Sequence, residues 1–219
     1  MAAPLHEKFR YIAIEGPIGV GKTSLAKALA ERLNARPVLE AAAENPFLPR
    51  YYANLKKFAF QTQIFFLVSR YKQQKQITQH DLFNRITVSD YMFDKDRIFA
   101  SISLNEEELM LYNHLHPLLA SNIPRPDLVI LLQAPASELM RRIRARGTKF
   151  EASVTRNYIE AVVEAYDRFF FDYDASPLLV VNTTHVNFAV EPFDLDTLVL
   201  QLEKIESGTQ YYVPEKLEA

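Results

Sequence analysis

The stretch Ile12-Ala-Ile-Glu-Gly-Pro-Ile-Gly-Val-Gly-Lys-Thr-Ser-Leu-Ala-Lys-Ala-Leu29 decides the fold, because it predicts a buried strand, a glycine-rich loop and a helix in direct succession. Residues 16–23, which we call the P-loop, fit the pattern G-x-x-x-x-G-K-[ST], in which backbone N–H groups and a helix N-terminus surround phosphate oxygens. The lysine would reach the β- and γ-phosphates, and the threonine hydroxyl would hold Mg²⁺. We therefore expect a nucleoside triphosphate to contact Gly16, Gly19, Val20, Gly21, Lys22, Thr23 and Ser24.

The composition of the 219 residues is that of one globular domain, with 48% apolar residues and five glycines. We expect a single domain over residues 1–219, with residues 1–9 and 207–219 as peripheral tails. The formal charge of −2 and the pI of about 6.2 give no electrostatic footprint for nucleic acid or an anionic membrane. Cysteine is absent, and no run reaches the roughly 18 apolar residues of a membrane span. These features predict a cytoplasmic protein that acts on small molecules.

Short hydrophobic runs alternate with helical patterns along the rest of the chain. After the first helix, strand patterns occupy residues 37–40, 86–90, 128–133 and 178–182. This alternation predicts an α/β fold in which helices cover both faces of a parallel sheet. The pattern over residues 58–76 is helical and apolar nearly all round, which predicts a buried helix.

Two carboxylates stand at strand ends, where a parallel sheet binds its ligands. We predict that Glu40 is the general base of a phosphoryl transfer, which needs an acceptor for one proton. Glu44 is the alternative base, and a structural role for Glu40 in capping a neighbouring amide stays open. Asp90 closes the strand over residues 86–90 and is, with Thr23, the predicted Mg²⁺ ligand.

The helical pattern that ends at Gly147 carries arginines at positions 141, 142, 144 and 146. Such a charge run is usually a solvated face. Four cations without an acid in that span also suit a lid that closes over phosphates and neutralises charge during transfer, and we favour this interpretation. Arg142 and Arg146 lie one helical turn apart and are, with Lys22, predicted to be catalytic.

Three side chains of the long helix share one face: Gln63, Phe66 and Arg70. An amide, an aromatic surface and a fixed cation are the groups that a nucleobase edge requires. Gln and Arg also form internal structural pairs, so the residues alone leave both interpretations open.

The chain resembles the deoxynucleoside kinase family, in particular its bacterial, purine-preferring branch. The resemblance extends from Tyr11 to about Asn182. It rests on residues 14–23, on Glu40 followed by Glu44-Asn-Pro-Phe47, on Phe60-Gln-Thr-Gln-Ile-Phe-Phe-Leu-Val-Ser-Arg70, on Ile98-Phe-Ala100, and on Leu132-Gln-Ala134 leading to Arg142 and Arg146-Gly147. It implies a P-loop kinase fold with a five-stranded parallel sheet, a homodimer, and ATP- and Mg²⁺-dependent phosphorylation of the 5′-hydroxyl of deoxyadenosine or deoxyguanosine.

The resemblance also implies a role for each matching side chain. Glu40 would be the base for the sugar 5′-hydroxyl. Gln63 would make paired hydrogen bonds to the nucleobase, and Arg70 would stand beside the base edge. The remaining matches are Phe99, which would stack on the base, Tyr52 and Glu151, which would hold the 3′-hydroxyl, and the lid arginines Arg142 and Arg146.

The segment after the third strand departs from the family pattern of an acid, an arginine and a serine, because this chain has Ser89-Asp90-Tyr91. The cation near the acceptor oxygen must then come from Lys95, Arg97 or the lid, and the sequence leaves this choice open. Lys95 also stands where the family often has an aspartate that pairs with the arginine at the base edge. The preference between purine and pyrimidine is therefore open as well.

Two other functions are compatible with the P-loop. A nucleoside monophosphate kinase of the thymidylate type would need cations for the acceptor's own phosphate, but the segment beside Glu40 offers Asn45, Pro46 and Phe47. A P-loop ATPase or a regulatory nucleotide-binding protein would leave Gln63 and Arg70 unexplained. We therefore favour the deoxynucleoside kinase hypothesis.

Overall fold

A parallel β-sheet forms the centre of the protein, whose computed structural model describes residues 5–77, 86–188 and 195–214. The strands are β1 (Tyr11–Glu15), β2 (Arg36–Val38), β3 (Thr87–Ser89), β4 (Leu128–Gln133), β5 (Leu178–Asn182) and β6 (Thr209–Tyr212). Their order is β2-β3-β1-β4-β5-β6, and each neighbouring pair is parallel. The expected α/β fold and the central position of the P-loop strand are confirmed.

Within the described residues the sheet has six strands, rather than the five that the resemblance implied. The additional strand, β6, pairs with β5 and lies in a segment that we expected to be a tail. Its residues alternate between exposed and half-buried, so this edge strand lacks the hydrophobic run that marks an inner strand. At the other end of the chain, Leu5 and Phe9 are buried in the main core. The outermost residues of both tails, 1–4 and 215–219, lie outside the described residues.

Helices connect the strands and flank the sheet. They are α1 (Leu5–Lys8), α2 (Lys22–Arg32), α3 (Leu48–Ala53), α4 (Ala59–Lys75), α5 (Lys95–Ser103), α6 (Glu106–Ala120), α7 (Ala136–Arg146), α8 (Arg156–Phe171) and α9 (Leu195–Lys204), with short 3₁₀ helices at Ala42–Glu44 and Lys149–Ser153. Helix α7 ends at Gly147, whose φ of +66° suits glycine. Among the described residues, no helix combines the length and apolarity that crossing a membrane requires.

The glycines of the loop between β1 and α2 are required by its close packing. A Cβ on Gly16 would lie 2.3 Å from the Leu132 carbonyl oxygen, and its φ is +141°. A Cβ on Gly19, at φ +86°, would lie 2.8 Å from Cγ1 of Ile143 on α7. Both positions combine a positive φ with a contact that leaves no room for a side chain, so the loop can lie directly against β4 and α7.

The sequence predicted that helix α4 is buried all round, and this prediction is wrong, because only one face of the helix is buried. Its buried face carries the polar residues Gln63, Arg70 and Gln74. Its outer face carries half-exposed apolar residues, and Val68 there is 41% exposed. The helix therefore turns its polar groups toward the protein interior and part of its apolar surface outward, which points to a ligand site on one side and a contact surface on the other.

Candidate active site

The P-loop forms one wall of a cavity of about 350 Å³ at the N-terminus of α2. Of the predicted nucleotide-binding residues, Gly19, Gly21, Lys22, Thr23 and Ser24 line this cavity, together with Arg142 and Arg146. Gly16 and Val20 lie behind the cavity wall, packed into the protein. Glycines at positive φ, backbone N–H groups and the positive end of α2 make this cavity suitable for a triphosphate.

Lys22 lies across the P-loop, where its Nζ donates hydrogen bonds to the carbonyl oxygens of Gly16 (2.8 Å) and Pro17 (2.9 Å). Burial and the nearby charge of Lys95 lower the pKa of Lys22 to about 8, although the carboxylates of Glu15, Glu40 and Asp90 oppose this shift. A buried ammonium under repulsion from a second cation is stabilised by an anion, which is what a bound phosphate would supply.

A second cavity, of about 300 Å³, opens on the other side of Lys22, and we call it the acceptor cleft. Every residue predicted to bind the substrate lines this cleft, together with the predicted base and two of the predicted catalytic cations: Tyr52, Gln63, Phe66, Arg70, Phe99 and Glu151, with Glu40, Lys22 and Arg146. Gly19, Lys22 and Arg146 line both cavities. The two cavities therefore meet at the lysine of the P-loop.

Glu40 lies in the acceptor cleft between two cations. Its Oε1 accepts from Nε (2.8 Å) and Nη2 (2.6 Å) of Arg70, and its Oε2 accepts from Nζ of Lys95 at 2.6 Å. Burial alone would raise the pKa of the Glu40 carboxyl, but the charges and hydrogen bonds of Lys95 and Arg70 outweigh it and hold this pKa well below its usual range. Glu40 is therefore ionised, and both of its oxygens are engaged by cations.

The partner of Arg70 is Asp96, whose Oδ1 accepts from Nη1 of Arg70. Lys95 stands at the position where, by the resemblance, the family often has an aspartate that pairs with this arginine. The aspartate is present one residue later, fully buried, and it also accepts from the hydroxyl of Tyr112 at 3.2 Å. The guanidinium of Arg70 stacks 4.8 Å from the ring centroid of Phe66, so Arg70 is fixed on three sides.

The amide of Gln63 faces the acceptor cleft with a buried Oε1 that has no hydrogen-bond partner among the described residues. A buried polar atom without a partner is costly, and it is retained where a ligand satisfies it. Phe99, on α5, stands in the same cleft with Nζ of Lys95 5.9 Å from its ring centroid. This geometry agrees with the predicted base contacts, whose roles remain predictions.

The predicted sugar-binding residues lie at the lid side of the cleft. Tyr52 stacks on Phe150, with ring centroids 6.2 Å apart and planes within 3°. Glu151 is 8% exposed and accepts from Nε (3.1 Å) and Nη2 (2.6 Å) of Arg146. The predicted lid arginine and the predicted sugar carboxylate thus form an ion pair beside the P-loop.

Asp90 connects the P-loop to the strand end that carries Glu40. Its Oδ2 accepts from the hydroxyl of Thr23 at 2.5 Å, and its Oδ1 accepts from the backbone N–H of Glu40 at 2.7 Å. A hydroxyl and a carboxylate side by side next to a triphosphate cavity are the hard oxygen ligands that Mg²⁺ prefers. The two residues therefore fit the predicted metal site, while no group of three or more acidic, His or Cys residues in the described parts of the chain could form a protein-only cage.

Arg142 differs from Arg146 because protein acceptors engage its guanidinium. It is 6% exposed, and it donates to Glu138, to Thr183, and to the backbone carbonyls of Val20 and Val186. In this arrangement it ties α7 to the P-loop and to the segment after β5. Its predicted catalytic role remains a prediction, whereas Arg146 stands between the two cavities.

Two alternatives that the sequence left open lie away from the acceptor cleft. Glu44 is exposed and lines a separate groove on the outer face of α4, so it cannot replace Glu40 in this arrangement. Arg97 is exposed on α5, whereas Lys95 is buried and lines the cleft. Of these two cations, Lys95 lies beside Glu40, the predicted general base.

Glu15 is a buried residue of the site that the sequence analysis did not single out. It ends β1, and its carboxylate accepts from the N–H of Met92 (2.7 Å), the hydroxyl of Tyr166 (3.0 Å) and the N–H of Gly16 (3.2 Å). Burial raises the pKa of Glu15. The sequence feature that could have identified Glu15 is a carboxylate within a strand of buried residues, because a buried carboxylate requires hydrogen-bond partners inside the protein.

A family model described as deoxynucleoside kinase matches residues 12–205. The chain belongs to the deoxynucleoside kinase family. It is 36% identical to a deoxyguanosine kinase of Bacillus subtilis over 158 residues, which cover 72% of this chain and 76% of that protein. It is 30% identical to a deoxyadenosine kinase of Lactobacillus acidophilus over 191 residues, which cover 81% and 87%. The solved structure of a deoxyadenosine kinase from M. mycoides with bound dATP matches with a TM-score of 0.71 at 25% identity, over 88% of this chain and 97% of that one.

This deoxynucleoside kinase is therefore a transferase that phosphorylates deoxynucleosides with ATP as the phosphoryl donor. The family also decides among the functions that the P-loop allowed, in favour of the kinase with a deoxynucleoside acceptor. The expected fold of the family and the enzyme class are confirmed.

Proposed function

We propose that the protein transfers the γ-phosphoryl group of Mg²⁺·ATP to the 5′-hydroxyl of deoxyadenosine or deoxyguanosine. The observation that carries this proposal is that the triphosphate cavity and the acceptor cleft meet at Gly19, Lys22 and Arg146, with Glu40 in the cleft beside them. A 5′-oxygen held near Glu40 faces the place where the P-loop lysine would hold a γ-phosphate. The reaction consumes ATP, which favours a cytoplasmic location.

Most of the residues predicted to be catalytic, metal-binding or sugar-binding receive a definite task in this scheme. Glu40 accepts the proton of the 5′-hydroxyl as the oxygen attacks, and Lys22 and Arg146 neutralise charge on the transferred group. Thr23 and Asp90 would hold Mg²⁺, which shields the phosphate oxygens when it is bound. Glu151 and Tyr52 hold the sugar on the lid side.

The base-binding part of the cleft supports a purine. Gln63 offers a donor and an acceptor side by side, as the edge of adenine or guanine requires, and Phe66 and Phe99 provide aromatic surface. Two of the relatives are named deoxyguanosine kinase and deoxyadenosine kinase, which favours a purine. We propose that both purines bind through Gln63.

The test is to incubate the protein with ATP and Mg²⁺ and with each nucleoside, deoxynucleoside and deoxynucleoside monophosphate separately, and to measure the phosphorylated product. Deoxyadenosine and deoxyguanosine should yield monophosphate faster than pyrimidine deoxynucleosides and ribonucleosides. The Lys22→Met variant, purified in parallel, controls for contaminating kinases. Diphosphate formed from dTMP would contradict the proposal in favour of a monophosphate kinase, and ATP hydrolysis that ignores every acceptor would favour a regulatory ATPase.

We further propose that the protein is a homodimer. Helices α4 and α6 are in contact with each other, and their outer faces would form the interface with the second subunit. On α6, Met110, Leu111 and Leu118 are 60%, 48% and 70% exposed, and the neighbouring helix α4 exposes Val68. Apolar surface of this kind marks a contact between proteins. Analytical ultracentrifugation should show a dimer, and Leu118→Glu should shift it toward monomer, whereas Leu200→Glu on α9 should not. A monomeric wild-type protein would contradict the proposal.

A further inference from the structure

The acceptor cleft holds Glu40 as a weak base. Oε1 is engaged by two donors of Arg70, and Oε2 is engaged by Nζ of Lys95 at 2.6 Å. Both lone pairs of Oε1 are therefore occupied, whereas Oε2 keeps one for a substrate hydroxyl. Because two cations stabilise the ionised carboxylate, release of one of them would make Glu40 a stronger base for the transfer.

The two cations differ in how firmly they are held. Arg70 is fixed by Asp96, by the ring of Phe66 and by its two-point contact with Glu40. Lys95 contacts Glu40 through a single ammonium on a flexible stem, and an ammonium carries three donors that can turn toward another acceptor. Lys95 is therefore the cation that can move.

A second acceptor for Lys95 is expected in the direction of the P-loop. Lys95 and Lys22 line the same cleft, and the ammonium of Lys22 lies on the P-loop, where it donates to the carbonyl oxygens of Gly16 and Pro17. Two ammonium groups that line one cavity form a site for an anion between them. The γ-phosphate of the donor is the anion that the P-loop would bring there.

We propose that Lys95 is a catalytic residue that exchanges its partner from Glu40 to the γ-phosphate when the donor binds. This inference rests on the proposed function. Before the donor binds, Lys95 neutralises Glu40. Afterwards its ammonium contacts the γ-phosphoryl oxygens and Oε2 of Glu40 is free. The 5′-hydroxyl gives its proton to Oε2, its oxygen forms the bond to the γ-phosphorus, and the bond from that phosphorus to the β–γ bridging oxygen breaks. ADP and the deoxynucleoside monophosphate leave, and Glu40 returns the proton to solvent.

The exchange predicts that Glu40 competes with the γ-phosphate for Lys95, and a double-mutant cycle measures this competition. The wild type, Lys95→Met, Glu40→Gln and the double variant are titrated calorimetrically with Mg²⁺·AMP-PNP and with Mg²⁺·ADP. Lys95→Met should weaken AMP-PNP binding by about tenfold or more and ADP binding by less than about twofold, because one charge-assisted hydrogen bond to the γ-phosphate is lost. Glu40→Gln should tighten AMP-PNP binding, and this gain should disappear in the double variant.

Two results would overturn the exchange: an unchanged affinity of Lys95→Met for AMP-PNP, or a gain from Glu40→Gln that persists without Lys95, which would reflect simple repulsion between Glu40 and the phosphates. Lys27→Met, on the exposed side of α2, is the matched control and should bind both nucleotides normally. If Lys95→Met does not fold, Lys95→Gln takes its place in the cycle, because it also removes the charge while it keeps a polar side chain.

These titrations contain no acceptor, so they separate this inference from the proposed function, which fails instead when no monophosphate forms. In the kinase assay, Lys95→Met should lower kcat by about 10²–10³-fold, as expected for loss of one preorganised charge. Lys95→Arg, which keeps the charge, should recover part of this rate. Equal rates for Lys95→Met and the wild type would refute a catalytic role.

Discussion

The donor side and the acceptor side of this kinase are built in different ways. The donor side is built mainly on one contiguous segment, residues 16–24, whose backbone conformation and helix N-terminus form one wall of the cavity, while Arg142 and Arg146 of α7 line it as well. The acceptor cleft is assembled from side chains on several elements: Glu40 follows β2, Gln63 and Arg70 lie on α4, Lys95 and Phe99 on α5, and Glu151 in the 3₁₀ helix after α7.

The difference teaches where each kind of function resides in the chain. A phosphate is recognised by backbone groups, so its site is a local motif with fixed spacing. A nucleoside is recognised by side chains that must converge from separate elements, and their ion pairs can rearrange. We therefore expect substitutions on the acceptor side to change catalysis or specificity, and substitutions of donor-side glycines to change folding as well.

The largest effect that we expect is on the acceptor side, from Glu40→Gln. The amide keeps the shape of the carboxylate but cannot take the proton, so kcat should fall by about 10²–10⁴-fold. Binding of the deoxynucleoside should change little, because Gln63 and Phe99 remain. Steady-state kinetics with the better purine deoxynucleoside measures both quantities.

Glu44→Gln is the matched control for Glu40→Gln, since Glu44 is exposed in the groove outside α4. It should retain the wild-type rate. Loss of turnover in Glu44→Gln together with normal turnover in Glu40→Gln would mean that the structure assigns the base to the wrong carboxylate.

On the donor side, Gly16→Ala should destabilise the fold. A Cβ at this position would lie 2.3 Å from the Leu132 carbonyl oxygen, at a positive φ. Overpacking of this kind costs about 1–3 kcal/mol in the free energy of unfolding, beyond the cost of the backbone conformation itself. Urea denaturation with the same fluorescence signal for all variants measures the change.

Gly208→Ala isolates the backbone cost, because Gly208 also has a positive φ, of +69°, but a Cβ there would meet nothing within 4 Å. It should destabilise by about 1 kcal/mol. Equal losses for both variants would show that the contact with β4 does not constrain the P-loop.

The contrast between the two sides also explains how much of the fold and of the site could be predicted from the sequence alone. The P-loop, the alternation of strands and helices and the place of Glu40 at the end of a strand pattern follow from local patterns and from hydrophobicity, whereas the central position of β1 followed only from the resemblance. The aspartate that pairs with Arg70 was not identified, because it lies one residue after the position matched to the family aspartate, and only the orientation of the first turn of α5 determines that Asp96 reaches Arg70. Strand β6 was missed because an exposed edge strand needs no continuous apolar run.

The prediction that α4 is buried all round was wrong for a related reason. Apolar residues all round a helix predict burial, but the sequence does not distinguish burial in the same chain from burial against another surface. Tertiary ion pairs are equally invisible to local patterns, which is why the contact between Lys95 and Glu40 emerged only from the structure.

A smaller effect, with opposite signs for stability and function, is expected for Gln63→Leu. The free protein should gain about 1 kcal/mol in the free energy of unfolding, because a buried oxygen without a partner is replaced by an apolar group. The KM for purine deoxynucleosides should rise by about tenfold, since the base loses its hydrogen bonds.

Denaturation of the Gln63→Leu protein tests the expected gain in the free energy of unfolding, and steady-state kinetics on the same preparation tests the expected rise in KM. Gln61→Leu, on the exposed side of the same helix, controls for the change in composition and should alter neither quantity in this way. A Gln63→Leu enzyme with an unchanged KM would remove Gln63 from base recognition.

The smallest effect concerns the pH dependence of stability on the acceptor side. The folded-state pKa of Glu40 lies below its unfolded value of about 4.3, so the ion pairs with Lys95 and Arg70 stabilise the protein fully above that value and lose their contribution as the pH falls through the folded-state pKa. Glu40→Gln lacks the stabilisation that these ion pairs supply, so its Tm should lie below that of the wild type near neutral pH. The difference in Tm between the two proteins should become smaller as the pH falls below about 4, since protonated Glu40 then resembles glutamine. Differential scanning fluorimetry of both proteins across this range gives the two curves, and a difference that stays constant with pH would mean that the ion pairs contribute nothing to stability.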